Sequence, residues 1–131
     1  MTLLDTHAFV WAWVDPARLS ALAARTIREA GHTTGLGIAS ITIWEVAMLV
    51  ERGRLTVFGT PERWLEAAIA GLRVSVVEIT PAIASISVRL GEPIAKDPAD
   101  RLIAATALAL GAPLVTADER LRAGLPALAV W

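Results

Sequence analysis

The sequence contains no cysteine, so the fold uses neither disulfide bonds nor thiolate metal ligands, and redox chemistry at sulfur is excluded. Long apolar runs are missing as well. The longest candidate, residues 38–50, is interrupted by Glu45 and falls short of the ~20 residues that span a bilayer. The opening residues, MTLLD, show neither the basic region nor the small-residue cleavage site of a secretory signal. These absences predict a cytoplasmic protein with no membrane segment.

Positive charge is also scarce. The formal net charge is −1 and the sequence pI is about 6.1, whereas proteins that hold nucleic acid by charge alone usually carry a strongly basic domain. Eleven of the twelve basic residues are arginine, which clamps phosphate and carboxylate groups better than lysine does. Any contact with nucleic acid is therefore expected to be local, and to need a metal ion or a second subunit.

The chain is nevertheless rich in core-forming residues. Its 131 residues are 55% hydrophobic and 19% charged, which predicts a single domain over residues 1–131 with a real core. The mean hydropathy of +0.56 exceeds what a monomer of this size comfortably buries. We therefore expect self-association, with exposed Trp11, Trp13 or Trp64 marking a homodimer face or a groove for a partner's amphipathic helix.

Short apolar runs alternate with longer segments of helical periodicity, which predicts an α/β domain with a largely parallel sheet. Polar residues at cap positions, such as Ser20 and Ser40, mark the helix starts. We predict strands at residues 3–4, 36–39, 74–79 and 128–131, with a strand and turn at 113–118. Helices are predicted from residue 6 to before Pro16, at 20–30, at 40–52, from 60 onward, at 80–90 and at 97–110.

Acidic residues stand where the predicted strands lead into helices. Asp5 ends the first strand and Asp118 follows the late one. Glu45 lies in the helix after the second strand, and Asp100 lies in the first turn of the last long helix. Ligands of open parallel sheets bind outside the carboxyl ends of the strands. The four acids are therefore expected to meet at one edge of the sheet.

Three of the segments also allow an ordinary explanation of their acids. Asp5 and Asp118 could each cap the helix that follows, because a carboxylate accepts the free N–H groups of a first helical turn. Asp97 and Asp100 could do the same for the last long helix, where an anion also interacts favourably with the helix dipole. Taken one at a time, these acids need no further role.

Glu45 is less easily explained. Its helix is apolar nearly all round, which predicts a largely buried helix whose carboxylate must be paired or bound to a metal. The alternative is that Thr42, Glu45 and Arg52 form a narrow stripe facing solvent.

The acids are most informative as a group. Unpaired like charges at ~4 Å repel by about 4 kcal/mol per pair at an effective dielectric near 20, so a fold avoids such a group unless a cation joins it. An all-oxygen site without histidine or cysteine ligands indicates Mg²⁺ or Mn²⁺ rather than zinc. The implied chemistry is metal-assisted attack of water on a phosphodiester. The hydroxyls of Thr6 and Thr116 could orient the neighbouring carboxylates, while His7 is expected to be structural.

Four segments, in order along the whole chain, resemble the motifs of VapC-like PIN-domain proteins. Each has an acid at the position that is catalytic in that family. The segments are LLDTHAFVW at residues 3–11 with Asp5, SITIWEVA at 40–47 with Glu45, DPADRLIAAT at 97–106 with Asp100, and LVTAD at 114–118 with Asp118.

The resemblance implies a three-layer, Rossmann-like α/β/α sandwich around a parallel sheet. It also implies Mg²⁺- or Mn²⁺-dependent endoribonuclease activity, and a role as the toxin of a type II toxin–antitoxin system. Such proteins form homodimers and are inhibited by a small antitoxin whose tail enters or covers the acidic site. Asp97 is an acid additional to the four matched ones. It is interpreted as a helix cap, and a supporting role at the acidic site is the alternative.

Basic residues close to the acids in sequence are the candidates for contact with RNA. They are few, so the salt dependence of RNA binding is expected to be shallow. Arg101 could instead pair with one of the acids. The candidates are Lys96, Arg101, Arg120 and Arg122.

Two other α/β families fail at particular residues. A haloacid-dehalogenase-type phosphotransferase needs a second aspartate at the position of His7, and a phospho-receiver domain needs a lysine after a late strand, whereas Lys96 precedes a helix. A catalytically inactive PIN-fold module that binds RNA or protein remains the alternative from another class. Intact acids argue against it, and a metal-binding titration separates the two.

Overall fold

Five parallel strands form one sheet in the computed structural model, which describes residues 1–94 and 96–131. The strands are β1 (Thr2–Leu4), β2 (Leu36–Ala39), β3 (Val74–Val77), β4 (Leu114–Val115) and β5 (Ala129–Val130). Their order across the sheet is β3-β2-β1-β4-β5, so the last strand lies at an edge. The third strand is two residues shorter than predicted. Val77 pairs with Ala39, where β2 ends, and residues beyond Val77 have no neighbouring strand to pair with.

Helices connect the strands, as the periodicity predicts. They are α1 (Thr6–Val14), α2 (Ala21–His32), α3 (Ser40–Glu51), α4 (Pro61–Leu72), α5 (Pro81–Arg89), α6 (Pro98–Leu110) and α7 (Glu119–Gly124), with a 3₁₀ turn at Pro16–Arg18. Gly111 ends α6 in the left-handed region at φ 58°, a conformation that glycine adopts without strain. Within the described part of the chain, no helix is both long and apolar enough to cross a membrane.

Most of the predicted helix caps are confirmed, and one is wrong. The side chains of Ser20, Thr60 and Thr80 each accept a hydrogen bond from a backbone N–H of the following first turn. Ser40 does not cap α3: it is the first helical residue, and Ala39 occupies the cap position without a side-chain bond. The chain passes from β2 into α3 with no residue between them, so the cap position is taken by Ala39, the last residue of the strand, which has no polar side chain.

The side chains of β1 divide the core between the two faces of the sheet. Leu4 packs on one face with Phe9 of α1, and Leu3 packs on the other face with Ile103 of α6. Successive residues of a strand point to opposite faces, so β1, β2, β3 and β4 each contribute to two core clusters, one on either face of the sheet. Helices α1, α2, α3 and α4 supply buried residues to the first cluster, and α6 and α7 supply them to the second. The sheet is therefore the middle layer of an α/β/α sandwich, which confirms the predicted fold class.

The strand order places a crevice beside β1. The chain moves from β1 outward to β2 and β3, then returns to the opposite side of β1 with β4 and β5. Such a reversal opens a gap between connections at the carboxyl ends of the strands, where ligands of open α/β sheets bind. In this protein the reversal lies between β1 and β4, directly beneath Asp5 and Thr116.

Candidate active site

Asp5 and Thr116 leave neighbouring strands side by side. Leu4 of β1 is in register with Val115 of β4, and the Asp5 backbone N–H donates to the Val115 carbonyl at 3.0 Å. The Thr116 hydroxyl donates a hydrogen bond to Asp5 Oδ2. The pairing of two short strands therefore fixes the first acid against a hydroxyl from the opposite end of the chain.

Asp5 is both a helix cap and a member of the site. Its Oδ1 accepts a hydrogen bond from the Ala8 backbone N–H at 2.7 Å, which confirms the capping interpretation. Only 4% of the residue is exposed. Burial raises the pKa of Asp5, against the opposing effects of the bonds from Thr116 and Ala8. Both carboxylate oxygens thus have partners, and the orientation of the group is fixed.

Asp118 closes the same side of the site. Its Oδ1 accepts from the Leu121 backbone N–H at 2.8 Å, so it caps α7 as the capping interpretation predicts. Its own backbone N–H donates to Thr116 Oγ1 at 3.1 Å. The Thr116 hydroxyl therefore joins Asp118 to Asp5, which gives this fully buried threonine a clear supporting position.

Glu45 reaches the site from α3, the helix that follows β2, and β2 is the neighbour of β1 in the sheet. The Thr6 hydroxyl donates to Glu45 Oε1, and Thr42 Oγ1 lies 3.3 Å from Thr6 Oγ1. Thr42 is 0% exposed, so the proposed solvent-facing stripe that included it is wrong. The expectation of a largely buried helix is also wrong, because Thr42 and Val46 are the buried residues of α3. Burial raises the pKa of the half-buried Glu45, and Asp97 adds to the shift.

Asp97 and Asp100 come from the first turn of α6 and differ in their bonding. Asp97 Oδ1 accepts from the Ala99 backbone N–H at 2.8 Å, which is the predicted cap. No hydrogen bond from the described residues reaches the Asp100 carboxylate, so capping does not explain it. Three carboxylate oxygens, one each from Glu45, Asp97 and Asp100, lie within 4.8 Å of one another.

These acids line one small cavity of about 190 Å³. Burial, and after it the negative charges of Asp118, Asp97, Glu45 and Asp5 in that order, together raise the pKa of Asp100 to about 7. The cavity therefore offers an all-oxygen donor set whose charges repel one another, which suits a hard divalent cation. Its lining residues are Asp5, Thr6, His7, Glu45, Asp97, Asp100, Ile103 and Asp118.

The four basic residues predicted to contact RNA lie elsewhere. Lys96, Arg120 and Arg122 are exposed, and none of them lines the acidic cavity. Arg101 donates to the Ser87 carbonyl at 3.4 Å, so its predicted alternative, an ion pair with one of the acids, is not formed among the described residues. A direct role of these four residues in RNA binding stays a prediction.

A basic residue that the sequence analysis missed lies beside the acids. Arg18 stands in the 3₁₀ turn after α1, with its guanidinium carbon 4.6 Å from the centroid of the Trp11 ring. It lines a second cavity that also contains Asp5 and Asp118. Pro16, which ends α1 and folds the chain back, is the signal in the sequence that could have placed Arg18 near the first strand.

Of the three tryptophans named as candidates for exposure, Trp13 is exposed, whereas Trp11 and Trp64 are not. Trp11 and Trp64 are partly buried and pack against the first core cluster. Trp13 is 37% exposed, and its ring lies over Gly71 of α4. The most exposed tryptophan is Trp44, at 55%. It lines a groove of about 400 Å³, the remaining lining of which is Ser40, Ile41, Ile79, Asp97, Pro98 and Ala99.

Comparison with known proteins relates this chain to a recognised family. The profile of the PIN domain matches residues 2–124 of the chain. Ribonuclease VapC22 of Mycobacterium tuberculosis (strain ATCC 25618 / H37Rv) is 40% identical over 120 residues, which cover 92% of this chain and 88% of that protein.

Solved structures of low sequence identity share the fold. A toxin–antitoxin complex from Klebsiella pneumoniae contains a chain with a TM-score of 0.64 and 21% identity, over 100% of this chain and 97% of that one. VapBC2 from Rickettsia felis, bound to a DNA fragment from its promoter, gives a TM-score of 0.68 and 18% identity over 89% and 86% of the two chains. FitAcB from Neisseria gonorrhoeae gives a TM-score of 0.61 and 20% identity, over 100% of this chain and 97% of that one.

Proposed function

The chain belongs to the VapC-like branch of the PIN-domain family, and we propose that it is a divalent-metal-dependent endoribonuclease that serves as the toxin of a toxin–antitoxin pair. The observation that carries the proposal is the convergence of five carboxylates in one cavity at the strand-order reversal. The ribonuclease that is 40% identical over most of the chain supports the choice of RNA as substrate.

The residues of the cavity fit a hard cation. We propose Asp5, Glu45, Asp100 and Asp118 as metal-binding and catalytic residues, with Thr6 and Thr116 in support. The grouping of oxygens from Glu45, Asp97 and Asp100 adds Asp97 as a ligand candidate rather than a cap alone. Bound Mg²⁺ or Mn²⁺ would supply Lewis-acid activation of water and neutralise charge on the phosphodiester.

The protein side chains have separate tasks in this proposal. Thr116 and the Ala8 N–H hold Asp5 in one orientation, and Thr6 holds Glu45. Asp100 has no competing hydrogen bond from the described residues, so its carboxylate is available to accept the proton that the attacking water releases. Phosphodiester hydrolysis then breaks one P–O bond, and the leaving oxygen takes up a proton.

Cleavage by purified protein tests the proposal. Single-stranded and structured RNA should be cut with Mg²⁺ or Mn²⁺ present and left intact with EDTA. Asp5→Asn and Asp100→Asn should each lower the rate roughly 100-fold or more, because each alters the acidic site. Glu66→Gln on α4, an exposed acid that lines neither the acidic cavity nor its neighbour, is the control and should cleave normally. Full cleavage by the Asp5→Asn/Asp100→Asn double variant would show that the proposal is wrong.

We further propose that the partners are a small cognate antitoxin and a second copy of this chain. The toxin–antitoxin complexes from Klebsiella pneumoniae and Rickettsia felis support an antitoxin partner. The apolar groove around Trp44 adjoins the acidic cavity through Asp97, so a partner helix in this groove would lie next to the site. Light scattering should give a dimer at micromolar concentration, and a strict monomer would contradict the homodimer.

A further inference from the structure

A second cavity, of about 300 Å³, adjoins the acidic one. Three residues, Asp5, His7 and Asp118, line both, so the two cavities are neighbours that share these side chains. The second cavity differs in chemistry because it adds an aromatic ring and a cation to these shared residues. Its full lining is Asp5, His7, Trp11, Arg18, Ala117 and Asp118.

The Arg18 guanidinium is positioned by stacking rather than by hydrogen bonds. Its carbon lies 4.6 Å from the Trp11 ring centroid, at the distance of a cation–π contact. Trp11 itself packs against two rings: its ring centroid lies 5.8 Å from that of Trp131 and 5.6 Å from that of His7. No salt bridge or hydrogen bond within the described part of the chain uses the Arg18 side chain. A cation–π contact uses none of the five N–H donors of a guanidinium, so those of Arg18 can bind a ligand.

The charge pattern indicates the ligand. Among the described residues that line the two cavities, Arg18 is the one arginine or lysine, and the others with full charge are acids. If a cation held one phosphate of a nucleic-acid strand in the acidic cavity, the neighbouring phosphate of that strand would lie in the second cavity, beside Arg18. Planar guanidinium edges bind phosphate oxygens through two parallel N–H bonds.

We propose that Arg18, positioned by Trp11, binds the phosphate next to the scissile one in a bound RNA strand. This subsite rests on the proposed ribonuclease function, because that function places a phosphodiester in the acidic cavity. Trp11 acts as a positioning residue, and Arg18 makes the contact with substrate. The proposal assigns RNA contact to a residue of the first connection rather than to Lys96, Arg101, Arg120 or Arg122.

Binding of a short fluorescein-labelled single-stranded RNA of mixed sequence tests the subsite. Fluorescence anisotropy is measured with Mg²⁺ over a range of KCl concentrations, on the Asp100→Asn background so that binding is read apart from cleavage. Adding Arg18→Ala should weaken binding about tenfold, as expected for the loss of charge-assisted hydrogen bonds. It should also lower the slope of log K against log salt by about 0.7, the contribution of one phosphate contact on a single strand.

Two further variants separate this role from a merely structural one. Arg18→Lys should keep the salt slope and recover part of the affinity, because lysine keeps the charge but lacks the stacked, forked geometry. Arg63→Ala, which removes an exposed arginine of α4 outside both cavities, is the matched control and should bind as the Asp100→Asn parent does. Loss of a structural brace alone would not change the salt slope.

The outcomes distinguish the subsite from the function on which it rests. If wild-type protein cleaves RNA while Arg18→Ala leaves affinity and slope unchanged, the subsite is wrong and the stack only braces the 3₁₀ turn. If RNA binding depends on Arg18 but no divalent cation supports cleavage by wild-type protein, the proposed function is wrong, and Arg18 is an RNA contact but not a subsite beside a scissile phosphate. Absence of RNA binding by the Asp100→Asn parent overturns the subsite.

Discussion

The two sides of the acidic cavity hold their carboxylates by different means. On the strand side, Asp5 and Asp118 each cap a helix and are joined through the Thr116 hydroxyl. On the helix side, oxygens of Glu45, Asp97 and Asp100 crowd within 4.8 Å. We call these the strand wall (Asp5, Thr116, Asp118) and the helix wall (Glu45, Asp97, Asp100).

The difference shows how one site can be both stable and reactive. Both carboxylates of the strand wall accept a backbone N–H at the start of a helix, so these acids contribute to folding as well as to the site. The helix wall brings like charges together, and the pKa of Asp100 rises to about 7. The strand wall therefore fixes the geometry, while the helix wall carries the repulsion that a divalent cation relieves.

The largest expected effect is on the strand wall. Asp5→Ala removes the cap of α1 and leaves the buried Thr116 hydroxyl without its acceptor. A lost cap costs about 1 kcal/mol, and an unsatisfied buried group costs about 1–3 kcal/mol more. Urea denaturation should show the free energy of unfolding lowered by about 2–4 kcal/mol, with or without metal. A stability equal to that of wild type would mean that the strand wall has no structural role.

A divalent cation should stabilise the protein through the helix wall. A ligand that binds only the folded state stabilises it by about 2.7 kcal/mol at a hundredfold excess over Kd. Millimolar Mg²⁺ or Mn²⁺ should therefore raise Tm, and Asp100→Asn should reduce this shift, since it removes charge from the crowded wall. Glu66→Gln is the control and should keep the full shift. An equal metal response in wild type and Asp100→Asn would contradict the division between the walls.

Substitutions of Asp118 test how much its cap of α7 contributes to stability. Asparagine caps helices about as well as aspartate, whereas alanine does not, so Asp118→Ala should be less stable than Asp118→Asn by about 1 kcal/mol. Both variants lose the charge that raises the pKa of Asp100. Thermal melts of the two variants in EDTA make the comparison. Equal melting temperatures would show that the cap of α7 contributes nothing.

The smallest expected effect is the pH dependence of the metal-free protein. The pKa of Asp100 is about 7 in the folded protein against an ordinary value of 3.8. The folded state therefore binds the proton more tightly than the unfolded state does. Its contribution to stability is fully present below about pH 4 and is lost as pH rises to about 7. The raised pKa values of Asp5 and Glu45 act in the same direction.

Asp100→Asn checks this sign. In EDTA, its stability should decline less than that of wild type between pH 5 and pH 7.5, because the titrating group is gone. At pH 8 the variant should be at least as stable as wild type, since repulsion within the helix wall is smaller. A steeper decline in the variant would show that Asp100 is stabilised rather than strained when ionised.

Local signals were sufficient to predict the elements and the caps. Pro61, Pro81 and Pro98 stand at helix starts, and Gly111 stands at a helix end, because each matches a backbone conformation that other residues adopt less readily. The exception is Ser40, where the absence of a loop between β2 and α3 moved the cap to Ala39. A sequence pattern does not show how many residues separate a strand from a helix when both are apolar.

The acids themselves were predictable because Asp5 and Asp118 follow strands, and Glu45 and Asp100 lie in helices, that were expected to meet at one edge of the sheet. Their division into two walls was not. Capping and convergence seemed to be competing explanations of Asp5 and Asp118, but both hold. The exposure of Trp44, and the burial of much of Trp11, likewise depend on which face of each helix meets the sheet.

The sequence by itself determined the order of strands and helices, the family and the identity of the candidate acids, since these depend on local periodicity and on short motifs. Tertiary structure alone decided that Thr116 donates to Asp5, 111 positions away, and that Arg18 stacks on Trp11 beside the acids. The physical reason is that strand register and the direction of the chain after a turn bring distant residues together, and neither is encoded in the spacing of any one segment.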